Sequence, residues 1–456
     1  MPAIFWFRRD LRLQDNEALN KAAEHDGGSV QPVYLLSSTD FAALEGIRQH
    51  SLVESLRSLD GDVSGALTII SESGWHAAAE RLASLATSTG AKYVFATRAF
   101  DPAGIAEQNV VGLALKAQGI FLDLTGSYYA VTPGCVAKPD GSPYRVYTPF
   151  FKAWFELAHY ARPLVLPPNA SFHRLAHSEL PTPTKRAPFK VVAGEAFARR
   201  TFERFKSRAL ANYHEDRDRA DMSGTSHLSH ALAFGEIHPR TLLAQLGDSD
   251  GHNVYRKEIA WREFYADVLW HNPHTTTEYY DSKYARMRYD SGTEADTRLA
   301  AWQQGKTGFP MVDAGMRQLL ATGWMHNRVR MIVASFLVKD LHIEWQHGAE
   351  WFERHLSDFD PASNAHGWQW TAGCGTDASP YFRVFNPITQ GLKFDPNGDY
   401  VRKYIPELAH IDGAAIHEPW LLLDGLSGGY VAPIVDHSVE REEALARLAE
   451  LKVSGA

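Results

Sequence analysis

Hydrophobic and polar positions follow two different periods along this chain. Five short apolar runs punctuate the first 130 residues: Ala3–Phe7, Val30–Leu36, Leu67–Ser71, Lys92–Thr97 and Ile120–Leu124. Between them lie stretches such as Ala77–Thr87, where Ala, Leu and Arg recur at three- and four-residue spacing, the period of a helix. Short apolar strands separated by helices predict an α/β domain, a doubly wound, Rossmann-like parallel sheet covered on both faces. Such sheets bind ligands beyond the carboxyl ends of their strands. No Gly-x-Gly-x-x-Gly follows any of the runs, so the dinucleotide fingerprint is absent. Residues 163–190 carry Pro163, Pro167, Pro168, Pro181, Pro183 and Pro188 among Ser, Thr and His, and read as a long surface linker. After residue 195 the pattern becomes helical, over Phe197–Tyr213, Tyr255–Trp270, Met311–Thr322, Asn327–Asp340, Ala349–Leu356 and a polar Glu440–Leu451, and no strand stands out. The pattern thus predicts an α/β domain over 1–130, a linker over 131–195 and an all-α domain over 196–456, with no internal repeat.

Composition narrows this little. Of 456 residues, 45% are apolar and 22% charged, which is ordinary for a globular chain and excludes disordered, collagen-like and coiled-coil classes. A chain this long can bury a large cofactor. The net charge of −8 argues against a uniformly basic nucleic-acid binder but leaves a local basic face open. Two cysteines, Cys135 and Cys374, are too few for a disulfide framework or a zinc site. Charge within the first ten residues and the lack of any 18-residue apolar run predict no signal peptide and no membrane span. A reduced cytoplasmic compartment is therefore expected. The 12 Trp, 18 Tyr and 23 Phe matter more, because they cluster.

Four clusters in the C-terminal half carry candidate chemistry. Gly224-Thr225-Ser226-His227-Leu228-Ser229, after Tyr213 and Arg217, offers hydroxyls and backbone N–H groups suited to a diphosphate, although taken alone an ordinary helix cap is much the plainer reading. Glu258, Trp261 and Tyr265 share a helix face, where an indole can stack on a base while a carboxylate accepts its N–H groups; a core Trp on an amphipathic helix is an equally good reading. In Trp324-Met325-His326-Asn327-Arg328-Val329-Arg330-Met331, the residues Asn327, Arg330 and Met331 share a face, and Arg330 needs a carboxylate if it is buried. Asp358-Phe359-Asp360, Asn364 and Trp368-Gln369-Trp370 crowd a stretch that runs on to Gly375-Thr376-Asp377 and Pro380-Tyr381-Phe382-Arg383. No suitably spaced third ligand makes the Asp pair a metal site, so no metal is expected. Gly305-Lys306-Thr307 lacks the upstream Gly and strand of a phosphate loop, and Cys374 reads as a packed thiol.

Together these clusters resemble the photolyase/cryptochrome flavoprotein family. The likeness starts at Trp6-Phe7-Arg8-Arg9-Asp10-Leu11-Arg12 and includes Tyr147-Thr148-Pro149-Phe150. It continues through Trp302-x-x-Gly305-x-Thr307-Gly308-Phe309-Pro310 and Trp324–Arg328, and closes at Trp368-Gln369-Trp370 and Asn386-Pro387. The subgroup it looks most like is the bacterial class I cyclobutane pyrimidine dimer photolyases. The resemblance implies an antenna-binding α/β domain and a bent FAD in the helical domain. Tyr213, Thr225, Ser226, Leu228 and Ser229 would hold the phosphates and ribityl chain. Asp358, Phe359 and Asp360 would lie along the isoalloxazine and ribityl groups, Arg330 would pair with Asp358, and Asn364 would sit at flavin N5. A dimer flipped out of UV-damaged DNA would lie between Trp261 and Trp370, with Glu258 and Asn327 on its base edges and Met331 lining the cavity. Arg217, Arg328, Arg383 and Gln390 would contact DNA. The implied reaction is light-driven repair by electron transfer from excited FADH⁻, with Glu258 stabilising the reduced dimer.

Two departures from the family pattern matter. Trp368 and Trp345 match the inner two of three tryptophans that carry electrons to oxidised flavin, but Arg288-Tyr289-Asp290 stands where the outer one is expected. Tyr289 must lose its proton on oxidation, so it would be a poorer terminal donor, and Trp302 or Trp351 offers another route. The loop Phe100-Asp101-Pro102-Ala103-Gly104 lacks the Asn-Glu pair that holds folate in relatives. An 8-HDF deazaflavin antenna is therefore favoured over methenyltetrahydrofolate, with Asp101 as a contact. The alternative function is a cryptochrome-type blue-light receptor without repair activity. Asn327 and Met331 stand where (6-4) photolyases carry histidine. The expectation is a monomer of the bacterial cytosol, near the nucleoid, with no membrane and no obligate protein partner.

Overall fold

The computed structural model describes residues 3–25, 27–159, 162–377 and 383–453. Pro380, Tyr381 and Phe382 of the fourth cluster lie outside the described residues. Five apolar runs form parallel strands β1 (Ala3–Phe7), β2 (Ser29–Ser37), β3 (Thr68–Glu72), β4 (Tyr93–Ala96) and β5 (Phe121–Leu124), in the order β3-β2-β1-β4-β5. β1 is central, pairing with β2 from Ala3↔Val30 to Phe7↔Tyr34 and with β4 at Ile4↔Val94 and Phe5↔Phe95. Its side chains alternate between two cores, as the two-residue period of a strand requires. Ala3, Phe5 and Phe7 pack on the helices Glu17–His25 and Gly46–Asp62 through Ala18, Leu19, Leu52 and Leu56. Ile4 and Trp6 pack on Trp75–Ser88 and Pro102–Ala117 through Ala79, Leu82, Val111 and Leu115. The doubly wound sheet is therefore present as expected.

The proline-rich stretch is not a free linker. Ser171–Phe172 forms a further strand, β6, parallel to β2 at Ser29↔Ser171 and Val30↔Phe172. β3 covers only Val33–Ser37 of the nine-residue β2, so the start of that edge would otherwise expose unpaired backbone groups. Ser171 N–H bonds Gly28 O at 2.7 Å and His173 N–H bonds Val30 O at 2.9 Å. The Thr68 hydroxyl then ties the following residues to β3, accepting from Leu175 N–H and donating to Ala176 O.

The chain divides into two compact units, Met1–Ala211 with Ser226–Pro273, and Asn212–Thr225 with His274–Ala456. This division does not follow the expected boundaries at 130 and 195. Buried carboxylates are the physical reason, because they bind distant backbone into the sheet unit. Asp15 accepts from Leu164 N–H (3.0 Å), Arg240 (2.8 Å) and Thr241 (3.1 Å). Glu195 accepts from Leu13 N–H at 2.7 Å. Glu263 accepts from the N–H groups of Ala130 and Val131 and from the Trp154 indole (2.6 Å), and burial raises its pKa against these bonds.

The second unit is helical, with no strand among its described residues. Pro310–Thr322, Asn327–Lys339 and Trp345–His355 follow the apolar period, and bury Met316, Ile332, Phe336 and Phe352 in one core. Thr293–Gln303, Pro361–Ala372, Pro387–Phe394 and the short Asp399–Tyr404 were not foreseen. The C-terminal helix His437–Val453 is fastened by Arg447, which pairs with Asp290 at 2.8 Å, and by His342 against Glu440 at 2.8 Å.

Candidate functional site

In the helical unit the residues expected around the flavin ring stand on the helices Asn327–Lys339 and Pro361–Ala372 and on the turn that leads into the second of them. His326 starts the helix Asn327–Lys339, its Nδ1 accepting from Arg328 N–H. Asp360 starts Pro361–Ala372 by accepting from Ser363 N–H at 2.9 Å, with Pro361 in the first turn and Gly373 left-handed at the end. Arg330 donates to Asp358 Oδ2 at 2.7 Å and to Met325 O at 2.8 Å, so the buried carboxylate has the partner it needs. The other oxygen, Asp358 Oδ1, is buried with no hydrogen-bond partner. Asn364 is similar: Nδ2 donates to Ala349 O at 3.0 Å, and Oδ1 is buried without a donor. Buried acceptors are nearly always satisfied, so two orphans six residues apart call for a ligand that donates. Phe359 packs against the core beside them.

Trp368 is buried on the same helix, 5.0 Å between centroids from Phe352 and 6.1 Å from Trp302. Gly348 makes room for it: a Cβ there would come within 2.1 Å of the indole. Trp345 is fully buried and lies 6.1 Å from Tyr279, which in turn lies 6.5 Å from Tyr289. Trp302 donates to Val333 O, and Trp351 lies tilted against the His355 ring. Trp370 and Met331 are half-buried and Asn327 is exposed, all three open to a partner. Arg328 bonds Asp218 at 2.9 Å and lies over the Phe394 ring, and Arg217 lies over Tyr213. The exposed Arg383 offers its carbonyl to Lys339, and Gln390 sits half-buried on Pro387–Phe394. Thr225 is half-buried.

In the sheet unit, Glu258 and Trp261 lie on the helix Asp250–His271, both half-buried. The Trp261 indole stacks face to face on Tyr147, 3.7 Å between centroids and 7° between planes, and Tyr265 tilts against it. Tyr147 is fixed by donating to Lys257 O at 2.7 Å. Leu228 is buried, and Ser226 hydrogen-bonds Tyr255, whose phenol burial pushes up to about 12. Leu228 stands at the cap position of the short helix that starts at Ser229 without a side-chain capping bond of its own, and Ser226 Oγ accepts from Leu228 N–H at 3.4 Å. His227 between them has φ +53, a strained conformation of the kind that collects at functional loops.

A second feature of this unit is a cavity of about 190 Å³ at the carboxyl end of β1, where doubly wound sheets hold ligands. Trp6, Arg8, Tyr34, Trp75, Glu107 and Tyr128 line it with Asp101. Arg8 lies over the Trp6 ring and bonds Gly104 O and Glu107, while its Nη1 is buried without an acceptor. Burial raises Glu107 and both tyrosines. Asp101 is on the wall as expected, but its carboxylate caps Pro102–Ala117 through Gly104 N–H and faces Arg9 at 3.6 Å.

Three residues escaped the sequence reading: Tyr147, Tyr279 and Glu344. Tyr147 stood in a quoted motif without a role, and Glu344 directly precedes Trp345, but only the fold puts Tyr279 against both. Among the described residues no group of three His, Cys, Asp or Glu is placed to hold a metal, and no helix is long and apolar enough to cross a membrane.

Residues 3–169 match the family described as DNA photolyase, and residues 255–450 match the FAD binding domain of DNA photolyase. The chain belongs to the DNA photolyase family. It is 40% identical to the deoxyribodipyrimidine photo-lyase of Agrobacterium fabrum, over 99% of this chain and 98% of that one. The fold is similar to a bacterial class III photolyase from Agrobacterium tumefaciens, with a TM-score of 0.87, 38% identity and coverage of 99% and 98%. It is equally similar in shape to the Synechocystis cryptochrome, TM-score 0.87, at 26% identity and coverage of 98% and 99%.

Proposed function

We propose that this chain is a deoxyribodipyrimidine photo-lyase that uses FAD and light to split cyclobutane pyrimidine dimers in DNA. Near-full-length relatives carry that name, and one observation ties it to this chain's chemistry. Asp358 Oδ1 and Asn364 Oδ1 are buried acceptors lacking donors, and the ring N–H and ribityl O–H groups of a flavin are donors of the right kind. Bound and reduced, FAD supplies the light-excited electron that opens the cyclobutane ring and is then regained.

The protein's own work is holding and screening. Arg330 holds Asp358 in place. Asp360 and Phe359 would extend that wall, and Asn364 would present its carbonyl oxygen to flavin N5. Tyr213, Thr225, Ser226, Leu228 and Ser229 would take the ribityl and phosphate groups. Trp261 and Trp370 each offer an indole face for a flipped pyrimidine, and Tyr147 backs the Trp261 ring so that it cannot rotate away. Glu258 and Asn327 would bond base edges, Glu258 sharing a proton with a carbonyl on which negative charge builds, and Met331 would line the cavity. Arg217, Arg328, Arg383 and Gln390 would meet the DNA backbone. Trp368, Trp345 and Tyr289 would feed electrons inward when the flavin is oxidised.

The family likeness of motifs pointed to class I, whereas the similar crystal structure at 38% identity is class III, and we read the chain as class III on that ground. The cavity beside Trp6 and Arg8 would hold a light-harvesting chromophore, a planar heteroaromatic with an acceptor for Arg8. Phe100–Gly104 still favours 8-HDF, and chromatography of the extracted chromophore decides between it and folate. The chain is read as a cytosolic monomer without an obligate protein partner.

Reduced, purified protein should remove thymine dimers from DNA under near-UV or blue light and not in the dark. Equal loss in the dark sinks the mechanism. The cryptochrome reading, favoured by shape similarity alone, requires flavin photochemistry with no dimer loss in either condition.

A further inference from the structure

Trp345 is fully buried at the start of the helix Trp345–His355, and its indole N–H has no acceptor. The Tyr279 ring meets it edge-on, at 6.1 Å and 85°. Tyr279 in turn stacks on Tyr289, at 6.5 Å and 22°. Tyr279 donates to Glu344 Oε1 at 3.0 Å. A hydroxyl has one proton to give, so the Tyr279 proton is committed to the carboxylate. Stacked rings on one side and a proton acceptor on the other place Tyr279 between Tyr289 and Glu344. Glu344 stands at the cap position of the helix but makes no capping bond, its carboxylate being committed to the phenol.

A phenol that loses an electron becomes strongly acidic, so tyrosine donates readily only where its proton has somewhere to go. Burial pushes both phenols upward in pKa, which keeps them protonated beforehand and makes electron and proton leave together. We propose that Tyr279, Tyr289 and Glu344 form a proton-coupled electron-donor unit serving Trp345. The proposal rests on the flavin reading above, since light-excited oxidised flavin is the oxidant that removes one electron from the tryptophans. Oxidised Trp345 takes one electron from Tyr279. The Tyr279 O–H bond breaks, the proton forms a new O–H bond on Glu344, and Trp345 returns to its closed-shell state. Tyr289 then passes one electron across the stacked rings and loses its O–H proton to solvent, while Tyr279 recovers its proton from Glu344, which leaves a neutral phenoxyl on Tyr289. Tyr289 is only half-buried, where a small thiol reductant can return a hydrogen atom.

Laser-flash absorption on the flavin-loaded protein tests this, with Tyr279→Phe, Glu344→Gln and Glu344→Asp as variants. In the parent, a neutral tyrosyl signal should grow as the tryptophan radical decays, and should grow more slowly in D2O. Tyr279→Phe should abolish it. Glu344→Gln, which keeps a hydrogen-bond acceptor but accepts no proton, should slow it about tenfold, and Glu344→Asp should recover part of the rate. A tryptophan radical that decays at the parental rate in Tyr279→Phe overturns the proposal, as does a Glu344→Gln rate equal to the parent's. A second arm oxidises the tryptophans with a ruthenium flash-quench reagent under green light, which flavin does not absorb. A tyrosyl signal there but not under blue light keeps the donor unit and removes the flavin reading; its absence in both removes the unit.

Discussion

Asp358 shows how much one contact can decide. Its side chain is almost wholly buried, and Arg330, a quarter exposed, is its only ion-pair partner among the described residues. Removing one partner of a fully buried pair costs about 3–5 kcal/mol, and less where a partner is partly solvated. Arg330→Ala should therefore lower the unfolding free energy toward the bottom of that range, read from denaturant titration followed by tryptophan fluorescence, and empty the protein of flavin, read from the absorbance of the purified variant. Gly348→Ala forces a methyl group into the Trp368 indole, and overpacking of this kind costs about 1–3 kcal/mol. That variant should melt earlier and show a shifted tryptophan emission. Trp261→Ala should weaken dimer binding by about 1–3 kcal/mol, the worth of one base–aromatic stack, in a gel-shift assay. An unchanged affinity would take Trp261 and its Tyr147 backing out of the site. Residue by residue, the sequence revealed types better than partners. Arg330 announced that it needed a carboxylate, and Asp358 was named for it. Nothing announced that Tyr279 would meet Glu344, because that bond spans 65 positions.

At the scale of elements, apolar runs were legible wherever packing is one-sided or two-sided in a regular way. β1 to β5 and the helices from Pro310 to His355 were found for that reason. Pro361–Ala372 was not, because Ser, Asn, Gly and two Trp give it neither a stripe nor helix propensity. Its cap was readable all along in Asp360-Pro361. The strand Ser171–Phe172 was hidden because its strength comes from the open edge it covers, a property of β2. His238 illustrates an element fixed by a neutral histidine. Its Nδ1 accepts from Arg240 N–H, which leaves the proton on Nε2, facing Ser127 O. Burial lowers it to about 4, although Asp15 lies 3.3 Å away. The unfolded chain binds this proton around pH 6.5. Between about 4 and 6.5 the unfolded state holds more protons, so stability rises with pH and is lost on acidification. Asp340 and Asp395, raised by burial to about 6, act in the opposite sense. His238→Gln should thus differ from the parent by a slope of roughly 1.4 kcal/mol per pH unit in that window, read from urea unfolding at several pH values. Parallel curves would show that the histidine is charged in the fold.

For the whole molecule, a net charge of −8 leaves DNA attraction to local cations such as Arg217, Arg328 and Arg383. Affinity should still fall linearly with the logarithm of salt, and each arginine that meets a phosphate should take about 0.9 off the slope when removed. A variant that weakens binding without changing the slope touches no phosphate. The two-unit division was the least legible feature, because it is set by carboxylates that reach across more than a hundred residues. Asp15 waits for Arg240 and Thr241, and the backbone of Ala130 and Val131 waits for Glu263. On a ribosome, the sheet emerges before the segment 226–273 that completes its unit. A nascent chain halted at 195 should keep the Leu164 donor to Asp15 but lack Arg240 and Thr241, and so be less stable than the finished unit.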